Sequence, residues 1–401
     1  MTRQRRRKSI LPFVMALVLA GAAAAMVASA GQEAARSRAY VGHENDSDMK
    51  GLVQYYPAAI GTRLDDCQTC HRGGVRGTDT EREVSPCGYC HLVVFPNGRY
   101  KTGVPKDYEA TLNAYGLDYK RAGRTFEAFR AIEGRDSDGD GHANAAEVAD
   151  LRNPGDAASR PGLPQAPTIA LGWDEIRKLP AHSQFLLMNK TTQRLDEYVA
   201  YKGVRIIDLL SAAKIPLAGV TGITVFAPDG YSTDFSLEDI GAPFPQGYYY
   251  DAPLAFGGSD LALLEKPASV PPGIENGKRI PGTLWLILAY EREGKPLDVA
   301  AYEKATGKLV GEGPYRLVMP QRYVMGDRQK PGRPDRSVNA EKYGDGWDYS
   351  DRIDHNAGAG ARGACVIRVN PMPQGFEEYD WKNGWPLIGD KKVVIYGHGV
   401  R

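Results

Sequence analysis

The chain has 401 residues, is 42% hydrophobic and 25% charged, and balances 50 Lys and Arg against 49 Asp and Glu for a formal net charge of +1. That length holds two or three domains with buried cores. The composition excludes wholesale disorder and a polytopic membrane protein, and the near-neutral balance gives no electrostatic reason to expect nucleic acid as a partner. With 46 Gly and 27 Pro, many turns are expected.

Residues 1–30 have the three parts of a secretory signal in order. Arg3, Arg5, Arg6, Arg7 and Lys8 form a basic head, residues 13–27 are apolar, and Ala28-Ser29-Ala30 is a small-residue cleavage site. A single membrane anchor is the competing reading, weakened by the shortness of the apolar run and by its AxA ending. Cleavage removes five cations and no acid, which turns +1 into −4. The longest later apolar run, residues 283–290, has the length of a buried strand. The mature chain is therefore expected to be exported, to the periplasm or the outer cell surface, with no integral membrane segment.

Residues 31–125 contain two matching pentapeptides, Cys67-Gln68-Thr69-Cys70-His71 and Cys87-Gly88-Tyr89-Cys90-His91. CxxCH places two thiols within reach of the vinyl groups of one haem and sets the following imidazole at the iron. The four cysteines alone would also fit a zinc ribbon or two disulfides. What separates the readings is the histidine directly after each pair, in a chain with only 7 His. Two covalently bound c-type haems are expected. For the far side of the irons, His43 is the best placed candidate, with Met49 as an alternative. For the second haem His355, His182, His398 or a Met remain open, and one iron could be five-coordinate.

The segment 126–151 is expected to form an EF-hand-like calcium site. Residues 136–147 read Asp-Ser-Asp-Gly-Asp-Gly-His-Ala-Asn-Ala-Ala-Glu, a full match to D-x-[DN]-x-[DN]-G-x5-E. Asp136, Asp138 and Asp140 supply carboxylates, Gly141 permits the sharp turn, and His142 offers its carbonyl. Asn144 takes the ninth position and Glu147 closes the shell. Helices are expected over 126–133 and from 145 onward. A single loop of this kind in an exported protein reads as a structural staple.

Residues 152–168, with Pro154, Pro161, Pro164 and Pro167, have the composition of a semi-rigid linker. From 169 to 401 short apolar runs alternate with Gly and Pro turns. Strands are expected at 184–189, 195–201, 223–227, 283–290, 315–319, 366–369 and 393–396, and helices at 173–179 and 204–213. The fold class expected is α+β: a small loop- and helix-rich dihaem segment followed by a β-rich domain with mixed sheets.

The stretches YKGVRIIDLLSAA (201–213), ITVFAPDGYSTDFSLEDI (223–240), LWLILAYEREGKPL (284–297) and GEGPYRLVMPQ (311–321) are similar, in this order, to the molybdopterin-binding domain of sulfite-oxidase-like enzymes. With the doubled CxxCH, the acidic loop and Gly311-Glu312-Gly313-Pro314, the chain resembles the bacterial GEGP-motif dihaem proteins over most of residues 40–400. The resemblance implies a sulfite-oxidase-like fold for 169–401. It also exposes a departure, because the molybdenum-ligating Cys of those enzymes has no counterpart between Ser183 and Gly203. The only other thiol, Cys365, opens an expected strand and reads as buried and inert. Molybdopterin is therefore not expected.

Two functional classes follow. In the first, the haems pass single electrons between redox protein donors and acceptors, and the C-terminal domain is a scaffold or docking module. In the second, that domain holds a pterin, molybdenum or other substrate site whose electrons the haems drain. The missing Cys favours the first, and no residue is nominated as catalytic.

Overall fold

The computed structural model describes residues 47–76, 82–86, 109–188, 196–249, 251, 264–265, 267, 269–303, 308–321, 356–381 and 384–401. Its N-terminal part contains α1 (Ser47–Tyr55), a hairpin of β1 (Gly74–Arg76) and β2 (Arg82–Val84), α2 (Ala114–Arg121), α3 (Phe126–Ile132) and α4 (Asn144–Ala149). Apolar side chains three or four positions apart put one face of each of the first three helices together: Met49 and Leu52, Tyr115 and Tyr119, Phe129 and Ile132. Phe129 stacks on Tyr119 with ring centroids 4.3 Å apart and 16° between planes. Burying such an aromatic contributes about 2–3 kcal/mol. Asn113 caps α2 by accepting from the Gly116 N–H at 2.8 Å.

The C-terminal part follows the order β3 (Thr168–Leu171), α5 (Trp173–Lys178), β4 (Ala181–Met188), β5 (Asp196–Arg205), α6 (Ile206–Ala212), β6 (Gly222–Phe226), β7 (Ser232–Ser236) and α7 (Leu237–Gly241). It continues through β8 (Leu264–Glu265), β9 (Ile287–Arg292), β10 (Lys295–Pro296), β11 (Ala301–Glu303), β12 (Lys308–Val310), β13 (Arg316–Val318), β14 (Val366–Asn370), α8 (Gly384–Asp390) and β15 (Val393–Gly397). One sheet runs β10-β9-β5-β4, with β13 also against β9 and β8 against β5; another runs β3-β15-β14-β6-β7. The β14–β15 and β5–β8 pairs are parallel and the others antiparallel, so both sheets are mixed. The chain is thus a mixed α/β protein with sheets and several helices. No helix among the described residues is long and apolar enough to cross a membrane.

The central strands β15, β14 and β6 of the five-stranded sheet are buried on both faces, and the period of two sorts their side chains. Ile223, Val225, Ile367, Val369 and Ile395 enter the main core, which also takes residues of the six-stranded sheet. Phe226, Val366 and Tyr396 join a smaller core with Trp381 and Ile388 on the other side. All seven expected strands are present with shifted ends. The run expected to begin at 283 enters its ladder only at Ile287. Before that, Trp285 N–H donates to Gln184 Oε1 at 2.9 Å and the Leu286 carbonyl accepts from Ile206 at 3.0 Å, so these groups are satisfied outside the strand. Val204 and Arg205, expected in a helix, instead end β5, where Arg205 pairs with Ile287.

The Pro-rich stretch after α4 is held on both sides. Glu377, 1% exposed, forms ion pairs with Arg63 and with Arg152 (3.2 Å) and accepts from Ser159 Oγ at 3.0 Å. Its backbone bonds Pro164 and Ala166, each at 2.8 Å. Two further contacts join the parts. Asp66 lies against Gly230, where an added Cβ would meet its Oδ2 at 3.0 Å, and the Ser85 N–H donates to Asp234 Oδ2 at 2.5 Å. Removing one partner of a buried pair leaves uncompensated charge at a cost of several kcal/mol. Glu377→Ala is expected to lower unfolding free energy by about 3 kcal/mol, read as a lower urea midpoint; a midpoint equal to that of the unsubstituted protein would show that the contact carries no stability.

Candidate haem-attachment turn and metal centre

The first CxxCH motif is one tight turn. Asp66 Oδ1 accepts from the Gln68 N–H at 3.1 Å and so caps the 3-10 turn Cys67–Thr69, and the Cys67 carbonyl accepts from both Cys70 (3.1 Å) and His71 (2.9 Å). Thr69 Oγ1 donates to the Leu64 carbonyl at 2.7 Å. The turn is also gripped from α2. The Asn113 N–H donates to the Cys70 carbonyl at 2.9 Å, and Asn113 Nδ2 to the Thr69 carbonyl at 3.0 Å. Gly116 makes this approach feasible, since a Cβ there would collide with the Cys70 carbonyl oxygen.

His71 Nδ1 lies 2.6 Å from Thr111 Oγ1. A metal-bound imidazole normally has its second nitrogen held this way, which sets ring orientation and leaves Nε2 to face the metal. Cys70 packs against the apolar cluster that contains Met49, Leu52 and Tyr115, so one side of the turn is dry. Burial pushes the Tyr56, Tyr115 and Tyr119 phenols up, and they stay neutral there. Two thiols and an imidazole in one turn, with Nδ1 occupied and apolar side chains alongside, fit covalent haem attachment.

Other candidate ligands are spread through the chain. Cys87, Cys90 and His91 lie outside the described residues, as do His43 and His355. Asn356, next to His355, is buried, and its amide donates to the carbonyls of Leu187 (2.9 Å) and Met319 (3.0 Å). His182 Nε2 is 2.9 Å from the Thr283 carbonyl oxygen and His398 Nε2 2.9 Å from that of Ala218, so both rings are engaged in the C-terminal part. Met49, by contrast, shares its cluster with Cys70.

The acidic loop closes on itself. Asp136 accepts from the N–H groups of Gly139 (2.8 Å), Asp140 (3.1 Å) and Gly141 (2.9 Å), and Gly141 has φ +97°. Asp140 Oδ1 accepts from the His142 N–H at 2.8 Å. Ligand oxygens of Asp136, Asp138 and Asp140 come within 4.8 Å of one another. Asn144 has another commitment. Its amide donates to the Ile132 carbonyl (2.7 Å) and Ser137 Oγ (2.9 Å) and accepts from the Ser137 N–H (3.2 Å), so it laces the loop ends together.

Glu147 is 0% exposed, and neither of its carboxylate oxygens has a hydrogen-bond partner among the described residues; the same holds for Asp138 Oδ2 and Asp140 Oδ2. Burial, then the charges of Asp138, Asp140 and Asp136, push the Glu147 carboxyl up to about 9; burial first, with Asp140 and Asp136 adding, pushes Asp138 up to about 6. Buried carboxylates without donors are costly. An oxygen-seeking divalent cation would satisfy all of them at once, so this donor set fits calcium.

A second polar cluster surrounds Glu312 of the GEGP turn, where Gly311 has φ +78°. Glu312 pairs with Arg316 and with Arg292 (3.3 Å). Arg292 also reaches Glu197 at 2.7 Å, and Arg316 donates to the Tyr201 hydroxyl at 3.0 Å. Two arginines thus balance the Glu312 carboxylate. Cys365 is 0% exposed, burial pushes its thiol up, and it sits in the smaller core beside Phe226. A neutral, enclosed thiol does not offer a metal a thiolate.

No known family model, no curated protein and no solved structure matches this chain.

The folded state holds Glu147 protonated at a pH where the unfolded chain has lost that proton. Without a cation, this group's contribution to stability is therefore present below about pH 4 and lost as pH rises towards 9. Chelator-treated protein is expected to melt lower at pH 8 than at pH 5, and excess calcium to remove that slope. Thermal scans at both pH values check this, and a slope unaffected by calcium would separate Glu147 from any cation site.

Proposed function

We propose that this chain is an exported dihaem c-type cytochrome that passes single electrons between redox protein partners in the periplasm or at the outer cell surface. The observation that carries the reading is the turn 67–71, in which two thiols and an imidazole with Nδ1 on Thr111 lie against an apolar cluster. The second, identical motif at 87–91 supports a pair of haems. When bound, a haem supplies a one-electron iron couple.

The residues around it do the rest. Cys67 and Cys70 would tether a haem and His71 would offer its imidazole to the iron, while Thr111 Oγ1 holds the ring at Nδ1. Phe129, Tyr119 and Leu52 form the dry side that keeps water away. Met49 or His43 is the candidate sixth ligand of this haem, and His355 remains a candidate for the other. A calcium ion held by Asp136, Asp138, Asp140, Glu147 and the His142 carbonyl would staple the EF-hand-like segment.

The C-terminal domain is read as a sulfite-oxidase-like fold serving as scaffold and docking module. Three contacts support the scaffold role: Glu377 with Arg63 and Arg152, Gly230 with Asp66, and Asp234 with Ser85, two residues before Cys87. The buried Cys365 and the internally neutralised Glu312 favour this role over a pterin or molybdenum site.

Purified mature protein is expected to contain two irons and one calcium per chain, to be heavier than the polypeptide by two haems, and to contain no molybdenum. Mass spectrometry with elemental analysis tests this. A colourless protein would overturn the cytochrome reading, and stoichiometric molybdenum would replace the scaffold role with an oxidoreductase.

A further inference from the structure

We propose that the acidic loop and the first haem-attachment turn form one coupled unit, so that cation occupancy at 136–147 sets the reduction potential of the haem at 67–71. The inference rests on the reading above, that the turn holds a haem and the loop a calcium ion. It adds a regulatory link between them that neither motif implies by itself.

Two short covalent and hydrogen-bonded routes join the sites. The first runs through α2. Ser137 Oγ, inside the loop, donates to Asp118 Oδ2 at 3.1 Å, and Arg135 Nη1 pairs with Asp118 Oδ1 at 3.6 Å. Asp118 lies five residues along from the Asn113 cap, and a helix that short is a rigid strut. At its other end Asn113 holds the carbonyls of Thr69 and Cys70, and Thr111, two residues earlier, holds His71.

The second route runs through α4. The Glu147 carbonyl accepts from the Arg152 N–H at 2.8 Å, and Asn153 Nδ2 donates to the Gln68 carbonyl at 3.0 Å, between the two cysteines. Gly155 N–H donates to Asn153 Oδ1 at 3.0 Å, and a Cβ on Gly155 would strike the Asn113 amide, so the two routes touch each other. Three consecutive carbonyls of the turn, at 68, 69 and 70, are thus held by groups whose positions depend on the acidic loop.

The drive for movement is electrostatic. With a cation present, the buried Glu147 and the Asp carboxylates share one divalent ion. Without it, the buried Glu147 carboxyl has no hydrogen-bond partner among the described residues, and the cost of leaving it unsolvated favours displacement of α4 towards water. Displacing α4 pulls Asn153 from Gln68, and displacing Asp118 tilts the strut that positions Thr111. The Thr111–His71 contact sets imidazole orientation and basicity, and these tune the potential of a bound iron. Linkage makes the effect reciprocal: if calcium shifts the potential, oxidation shifts calcium affinity by the same factor.

The test uses the full-length holoprotein. Optical redox titrations with excess calcium and with chelator are paired with calorimetric calcium titrations of the oxidised and reduced forms. One haem midpoint is expected to move while the other stays, with calcium affinity differing by about fivefold between redox states. Thr111→Val should shift the same component and so identify it as the haem of His71. The double variant Asp118→Ala/Asn153→Ala, which alters no residue of the loop, should still bind one calcium while the midpoint shift shrinks. Calcium binding with both midpoints unmoved would overturn the coupling alone, as would a full-sized shift in the double variant. Failure of the holoprotein to bind calcium at all would remove the calcium reading and the coupling with it.

Discussion

A buried carboxylate from late in the chain organises the contact between the two parts of this protein. Glu377 takes one arginine from the segment before the first CxxCH motif and another from just beyond α4, and its backbone is stitched to the Pro-rich stretch. Three stretches distant in sequence therefore meet at a single charge. Arg63 extends the junction by donating to the Leu151 carbonyl at 3.1–3.2 Å and to Ser159 Oγ at 3.0 Å. A carboxylate so enclosed is tolerable only because two guanidiniums and a hydroxyl replace its water.

Two other groups of acids in the protein are handled in contrasting ways. Glu312 and Glu197 are neutralised internally by Arg292 and Arg316, which makes them part of the β-domain's own architecture. Glu147 has no such cation among the described residues, and its neighbours Asp136, Asp138 and Asp140 are all of one sign. The first arrangement is closed and the second asks for something from solution. This difference, more than the presence of carboxylates, separates a structural cluster from a binding one.

Much of this was legible in the sequence, because the informative signals were local. The strands at 223–227, 366–369 and 393–396 stood out as short runs of Ile and Val between turns, and their observed bounds differ by a residue or two. The Asp-rich loop was legible from spacing alone. β7 is not among the expected strands because Ser232, Thr233 and Asp234 form no apolar run; their strand is specified by pairing with β6. α7 had a signal that could have been used, since Ser236 and Asp239 make a reciprocal capping box. The bonds of Asn144 to Ile132 and Ser137 were not legible, because a position in a motif does not reveal which neighbours compete for an amide. Thr111, Asn113 and Glu377 were invisible for a simpler reason: their partners lie some 40 to 300 positions away.

The long separation at Glu377 bears on biogenesis. A chain made from its amino end presents Arg63 and Arg152 well before their counter-charge exists; even Ser159 waits 218 positions for its acceptor. Until then neither guanidinium has Glu377 to pair with, though Arg152 also reaches Asp150 at 3.1 Å, and the early half can bed down against the later half only once nearly everything has been synthesised. A product cut short of that carboxylate would keep its CxxCH pentapeptides yet lack the anchor that seats them, so quality control at the tail of the polypeptide is built into the architecture at its head.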